Sequence, residues 1–173
     1  MTDFNRRAFL GALSTAGLGA VAGCSSNSQS NVNYKTGGNE KRLRQAAATY
    51  LTKATLYKAP NCMCCEEHKK YLESTTEVDI TVKDVKDLSG TKKRYNIPKN
   101  LVSCHTLDTR EYFVEGHVPR EAIGKLALEK PDILGIALPE MPAGSPGMGG
   151  KKSKEFVIYA VKKDGSYTKF MTI

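Results

Sequence analysis

A chain of 173 residues, 40% of them hydrophobic, has room for one domain of about 100–150 residues plus tails. The lack of Trp and a mean hydropathy of −0.40 limit it to a modest core. The formal net charge is +8, but the lysines are scattered with no basic patch interleaved with aromatics, which argues against a nucleic-acid interface; a solvated surface or contact with anionic headgroups remains.

The N-terminus has the build of an export signal. Asn5-Arg6-Arg7-Ala8-Phe9-Leu10 opens an uncharged apolar run that ends at Ala22, too short for a membrane span of about 20 residues. The paired arginines resemble a twin-arginine signal. Val21-Ala22-Gly23-Cys24 resembles a bacterial lipobox, in which Cys24 is acylated and becomes the mature N-terminus; the competing reading is an uncleaved anchor with a free Cys24. Residues 1–23 are therefore expected to be removed, lowering the charge to +7 and leaving the protein lipid-anchored to a membrane in the periplasm or cell envelope. Residues 24–50 then form a tether rich in Ser, Asn and Gly and a short helix with Leu43, Ala46, Ala47 and Tyr50 on one face.

Residues 51–173 are expected to form the domain. A strand at 54–58 leads through a cysteine-rich turn into a helix at about 65–74. Val78–Val82 alternates like a strand, and residues 84–95 have helical composition up to the break at Pro98. Residues 101–106 and 111–115 suggest two strands joined by a turn at 108–110. Pro119 opens a helix to Glu129, in the first position where its missing N–H costs little. Residues 131–154, dense in Pro and Gly, are expected to be an ordered functional loop or a flap. Glu155–Val161 and Tyr167–Thr172 around Asp164-Gly165 form a hairpin. The order β-α-β-α-β-β-α, with C-x-x-C on the first strand-to-helix turn, resembles an α/β thioredoxin-like core with a C-terminal β-hairpin extension. Pro98 is the candidate for the cis-proline of such folds.

The chemistry centres on Cys62-Met63-Cys64-Cys65. Cys62 and Cys65 make a C-x-x-C pair, Cys62 and Cys64 a C-x-C pair, and a helix N-terminus favours their thiolates. Two structural disulfides among Cys62, Cys64, Cys65 and Cys104 are disfavoured. Three of the four crowd one loop, where a bridge closes almost no chain. A Cys62–Cys65 bridge is feasible as a redox couple. His68 shares the helix face of Cys64 and Cys65, either as a ligand or as a solvated surface residue. Cys104 and His105 are neighbours in a strand, so only one faces the cysteine turn unless the strand ends or bulges there; Cys104 ranks first on softness. His117 lies just before a helix, at the loop that flanks the active face in the thioredoxin-like folds this order resembles, either as a ligand or as a neighbour of the helix's N-terminal cap. Met141 and Met148 flank the Pro/Gly loop within reach of closure, although packing is the ordinary role of a Met. Thiolate, imidazole and thioether together select Cu(I).

Cys62-Met63-Cys64-Cys65, Ser103-Cys104-His105-Thr106, Glu115-Gly116-His117-Val118-Pro119 and the 141–148 loop with Ser145-Pro146-Gly147-Met148 together resemble a bacterial metal-binding family, long without an assigned function, that includes copper-resistance proteins of the CopG type. The resemblance runs from about Thr55 to Tyr159. It implies an envelope protein with a thioredoxin-like domain that binds copper and changes redox state in detoxification. It also implies ligands among Cys62, Cys64, Cys65, Cys104 and His105, with His117 and Met148 in support. Where many members carry a Trp after the C-x-C-C, this chain has Glu66–Tyr71, which adds His68 to the candidates. The expectation is therefore a protein of copper resistance or homeostasis holding Cu(I) on clustered thiolates, with copper ions and other envelope copper-handling proteins as partners. Two alternatives stand beside it. One is a thiol-disulfide oxidoreductase in which Cys62 attacks, Cys65 resolves and Pro98 orients the substrate. The other is an iron-sulfur protein.

Overall fold

A computed structural model describes residues 38–173. The expected export signal, the expected lipobox at Cys24 and most of the expected tether lie outside the described residues. The elements in order are α1 (Glu40–Leu51), β1 (Thr55–Lys58), α2 (Met63–Thr76), β2 (Thr81–Asp84), α3 (Leu88–Arg94), a 3-10 turn at Lys99–Leu101, β3 (His105–Asp108), β4 (Phe113–Glu115), α4 (Arg120–Glu129), β5 (Gly135–Ala137), β6 (Val157–Val161) and β7 (Tyr167–Thr172). No described helix is long and apolar enough to cross a membrane.

The seven strands form one mixed sheet in the order β2-β1-β3-β4-β5-β6-β7. β1 runs parallel to β2 and antiparallel to β3, β3 and β4 are antiparallel, and β4 is parallel to β5. β5–β6 and β6–β7 are antiparallel. Because strand side chains alternate between faces, adjacent residues serve different cores. Leu56, Leu107, Val114, Ile136 and Ile158 meet Leu72 of α2, Ala47 and Leu51 of α1, and Ile123 and Leu126 of α4. On the opposite face Phe113, Ala137 and Val161 pack with Ile97 and Leu101. Each fully buried Leu or Ile contributes roughly 1.5–3 kcal/mol relative to exposure.

α1 lies against α4, and a Cβ added at Gly124 would sit 2.2 Å from the carbonyl oxygen of Leu43. Only a glycine permits so close a helix crossing. Four departures from the sequence expectations have local causes. The strand expected over 78–82 forms at Thr81–Asp84, because α2 continues to Thr76 and ends on a left-handed Glu77, while the Glu73 carboxylate accepts from the Ile80 N–H at 2.8 Å. α3 starts late because the Asp87 side chain caps it, accepting from the Gly90 N–H. The strand expected from residue 101 begins only at His105, since the 3-10 turn after Pro98 occupies 99–101 and the Ser103 N–H goes to the Glu115 carboxylate. Finally, β5 lies inside the segment expected to be wholly irregular; three residues between Pro131 and Pro139 carry too little pattern to announce a strand. The C-terminal hairpin thus joins the sheet through β5.

Candidate metal centre

The chain leaves β1 at Lys58, whose buried ammonium is held by Glu66 at 3.0 Å and Asp84 at 2.6 Å. Those two ion pairs pull the start of α2 and the end of β2 onto the end of β1. Asn61 then takes a left-handed conformation (φ 60°), which Asn tolerates better than most residues, and turns the chain into the helix. α2 begins at Met63, two residues earlier than expected. Cys62 is its N-cap, and Cys64 and Cys65 lie in its first turn. All three sulfurs therefore stand at the positive end of the helix, beside unpaired N–H groups.

Cys62 and Cys65 form a disulfide with Cα atoms 5.3 Å apart. Cys64 is a free thiol 3.6 Å from the Cys62 sulfur. The fully buried Cys65 Sγ lies 3.8 Å from the carbonyl oxygen of Cys104, the second free thiol among the described residues. The sulfurs of Cys62, Cys64, Cys65 and Cys104 all fall within 4.8 Å of one another.

Cys104 also belongs to a second group. It stands one residue before β3, off the ladder, so strand alternation does not separate it from His105. Its sulfur lies 3.0 Å from His105 Nδ1 and 3.0 Å from His117 Nε2. These three residues form another set of donor atoms within 4.8 Å. His68, on the inner face of α2, completes a triangle of rings with centroids 4.9–5.0 Å apart. Its Nδ1 is 2.8 Å from His105 Nε2, and its Nε2 is 3.1 Å from the Val118 carbonyl oxygen. All three imidazoles are fully buried.

The Pro/Gly segment is docked against this cluster. Turns bonded from Ser145 to Pro142 and from Met148 to Ser145 order it, and the Pro146 carbonyl oxygen stands 2.7 Å from His117 Nδ1. Gly147 (φ +78°) lies so close to α2 that a Cβ there would come within 2.4 Å of the His68 backbone nitrogen. Met148 is half-buried on this loop, whereas Met141 is exposed.

Electrostatics follow from burial. The Cys104 thiol is pushed up to about 12, by desolvation first and then by Cys64, with Lys92 pulling the other way. Desolvation, reinforced by His117, holds His68 down to about 3; it also drives His105 well below, and His117 below, the usual imidazole range. At neutral pH the three rings are neutral, with lone pairs available to a cation.

Sequence reasoning missed the group behind Cys104. Glu115, fully buried, accepts from Lys92 Nζ at 2.5 Å, the Thr106 hydroxyl at 2.6 Å and the Ser103 N–H at 2.6 Å. This pins the backbone next to Cys104. The available signal was a carboxylate ending an apolar strand, Tyr112-Phe113-Val114-Glu115, directly before Gly116-His117. Pro98 caps the 3-10 turn instead of standing directly before β3; Cys104 occupies that place.

A family described as "Protein of unknown function, DUF411" matches residues 101–148, a stretch that contains Cys104, His105, Glu115, His117 and the docked loop. Two solved structures of copper resistance protein CopG, Form 2 and Form 1, each superpose with a TM-score of 0.64 at 34% identity; each match spans 69% of this chain and 96% or 95% of CopG. No curated protein matches the chain. A shared fold at this identity over nearly the whole of CopG, together with the match across the Cys104–Met148 motifs, establishes that the chain belongs to the family of the copper resistance protein CopG.

Proposed function

We propose that this chain is an exported, lipid-anchored copper-binding protein of the cell envelope, which holds Cu(I) in copper resistance or homeostasis. One observation carries the reading: four cysteine sulfurs within 4.8 Å of one another share Cys104 with a Cys-His-His group of the same compactness. Thiolate and imidazole donors suit a soft monovalent cation, and this many sulfurs in one place favours bridging between several ions. Cys62, Cys64, Cys65 and Cys104 are the proposed thiolate ligands, with His105 and His117 as imidazole ligands and Met148 available from the docked loop. His68 lies behind His105. The Cys62–Cys65 disulfide links copper loading to redox state, because both sulfurs must be reduced before they can ligate. The β2-β1-β3-β4 order, with β1 and β2 parallel and β3 and β4 antiparallel, supports a thioredoxin-like core, which β5, β6 and β7 extend. Other envelope copper-handling proteins are the natural donors or acceptors of the ion, and Cys24 is the proposed lipid attachment.

The disulfide on a helix N-terminus also favours a second reading, thiol-disulfide exchange with Cys62 attacking and Cys65 resolving. Four cysteines are likewise the ligand count of an iron-sulfur cluster. The adjoining imidazole pair, unused by either alternative, favours copper.

The deciding experiment is anaerobic Cu(I) titration of the reduced mature chain against a competing chelator, repeated on Cys64→Ser. Copper retained under sub-micromolar competition, with a lower stoichiometry in Cys64→Ser, is the expected result. A wild type that takes up no copper yet reduces insulin disulfides efficiently sinks the copper reading in favour of exchange. For targeting, replacing Arg6 and Arg7 by Lys should block export, and unaffected export removes the twin-arginine inference.

A further inference from the structure

Two backbone carbonyls fix which nitrogens of the histidine cluster carry hydrogen. A carbonyl oxygen only accepts, so His68 Nε2, 3.1 Å from the Val118 oxygen, must be its N–H. In a neutral ring His68 Nδ1 is then bare. His105 Nε2, 2.8 Å away, must donate to it, which leaves His105 Nδ1 bare and directed at the Cys104 sulfur at 3.0 Å. By a separate route, the Pro146 oxygen at 2.7 Å requires the N–H of His117 at Nδ1 and leaves its Nε2 bare, 3.0 Å from the same sulfur. Burial of all three rings keeps them in the neutral form that this logic needs.

We infer that His68 is a positioning residue: through the chain Val118 oxygen–His68–His105 it holds His105 in the Nε2–H tautomer, so that the lone pairs of His105 Nδ1 and His117 Nε2 converge with the Cys104 sulfur on one soft-cation site. The thiol has one hydrogen and faces two lone pairs, so one of them meets a sulfur lone pair instead of a donor. A monovalent soft cation resolves this. It takes the place of the thiol proton, one proton leaves to solvent, and thiolate and both imidazoles donate to the same ion with no change of charge at the site. The docked Pro/Gly loop thereby gains a defined task, since its Pro146 carbonyl sets the tautomer of His117. The inference deepens the copper reading for the Cys104 half of the centre, but its primary test needs no metal.

Long-range 1H–15N correlation spectra of the mature apo chain, 15N-labelled on histidine, report each tautomer directly. The wild type should show Nε2–H for His68 and His105 and Nδ1–H for His117. In His68→Phe, which removes the acceptor, the His105 signals should leave the Nε2–H pattern while those of His117 stay, the latter confirming an intact fold. His68→Asn brings a carbonyl oxygen close to the place of Nδ1 and should restore the His105 tautomer. Cu(I) affinity should fall about 10–100-fold in His68→Phe and recover in His68→Asn. An Nδ1–H tautomer at His105 in the wild type, or an unchanged His105 pattern in His68→Phe, overturns the inference. Correct tautomers in a wild type that binds no Cu(I) would instead refute the copper reading and leave the tautomer lock standing.

Discussion

Lys92→Met offers the sharpest test of the polar group behind Cys104. Lys92 is 5% exposed and Glu115 is fully buried, and the carboxylate takes three donors: Lys92, the Thr106 hydroxyl and the Ser103 N–H. The substitution leaves the carboxylate buried with two neutral donors. Breaking such a pair by removing one partner costs about 3–5 kcal/mol at neutral pH. Protonation is the carboxyl's way out. Burial already raises the Glu115 pKa, and Lys92 is the strongest influence pulling it down, so the variant raises it further. A carboxyl whose folded pKa lies above its unfolded value of about 4.3 contributes stability below that pH and loses it as pH rises, at about 1.4 kcal/mol per unit up to the folded pKa. The penalty of Lys92→Met should therefore be largest near pH 7.5 and shrink by more than about 1 kcal/mol at pH 5. Urea unfolding of apo wild type and variant at both pH values measures it, and effects common to both proteins cancel in the difference. A penalty below about 1 kcal/mol at pH 7.5, or one independent of pH, would refute the reasoning. The Lys92→Met/Glu115→Leu double variant should recover most of the loss, since no buried charge is then left unpaired.

Gly147→Ala should destabilise the apo protein by roughly 1–3 kcal/mol from the left-handed backbone, with a further cost where the new Cβ meets the His68 backbone. Denaturant unfolding reads this, with Gly149→Ala as the control, since a Cβ there meets nothing within 4 Å and should change stability by less than about 0.5 kcal/mol. Acid should weaken the apo fold through the histidines. The unfolded chain binds protons near pH 6.5, whereas His68 in the folded protein resists until about pH 3, so stability falls as pH drops through that window, at about 1.4 kcal/mol per unit for each such imidazole. A stability profile flat between pH 7 and 5 contradicts the buried neutral cluster. Copper binding should carry the opposite proton count: loading the centre displaces the Cys104 proton, so apparent affinity should rise with pH across the neutral range, and titrations in buffers of different ionisation enthalpy would expose a constant, proton-free affinity.

Much of this centre was written locally. Three cysteines in four positions after a short strand carry their own chemistry, and a helix following them puts them on its positive end whatever the rest of the chain does. The alternation of residues 157–161 and 167–172 likewise needed only local pattern to announce a hairpin, and Asp164-Gly165 supplied its turn. Tertiary structure decided the long-range matters. It set how the Cys104-His105 pair turns towards the thiols: both reach the centre because β3 begins only at His105 and leaves Cys104 off the ladder, where Glu115, eleven residues on from Cys104, holds the Ser103 N–H. It gave the Pro/Gly segment a place on α2 and threaded β5 through it, neither of which three residues between prolines can signal. It also turned His68, by itself an ordinary helix residue, into the middle of a buried hydrogen-bonded chain. Sequence supplies donor types and short-range spacing; the direction of an imidazole lone pair depends on a carbonyl 50 residues away in the chain, Val118 for His68, and only the packed fold brings that carbonyl within reach.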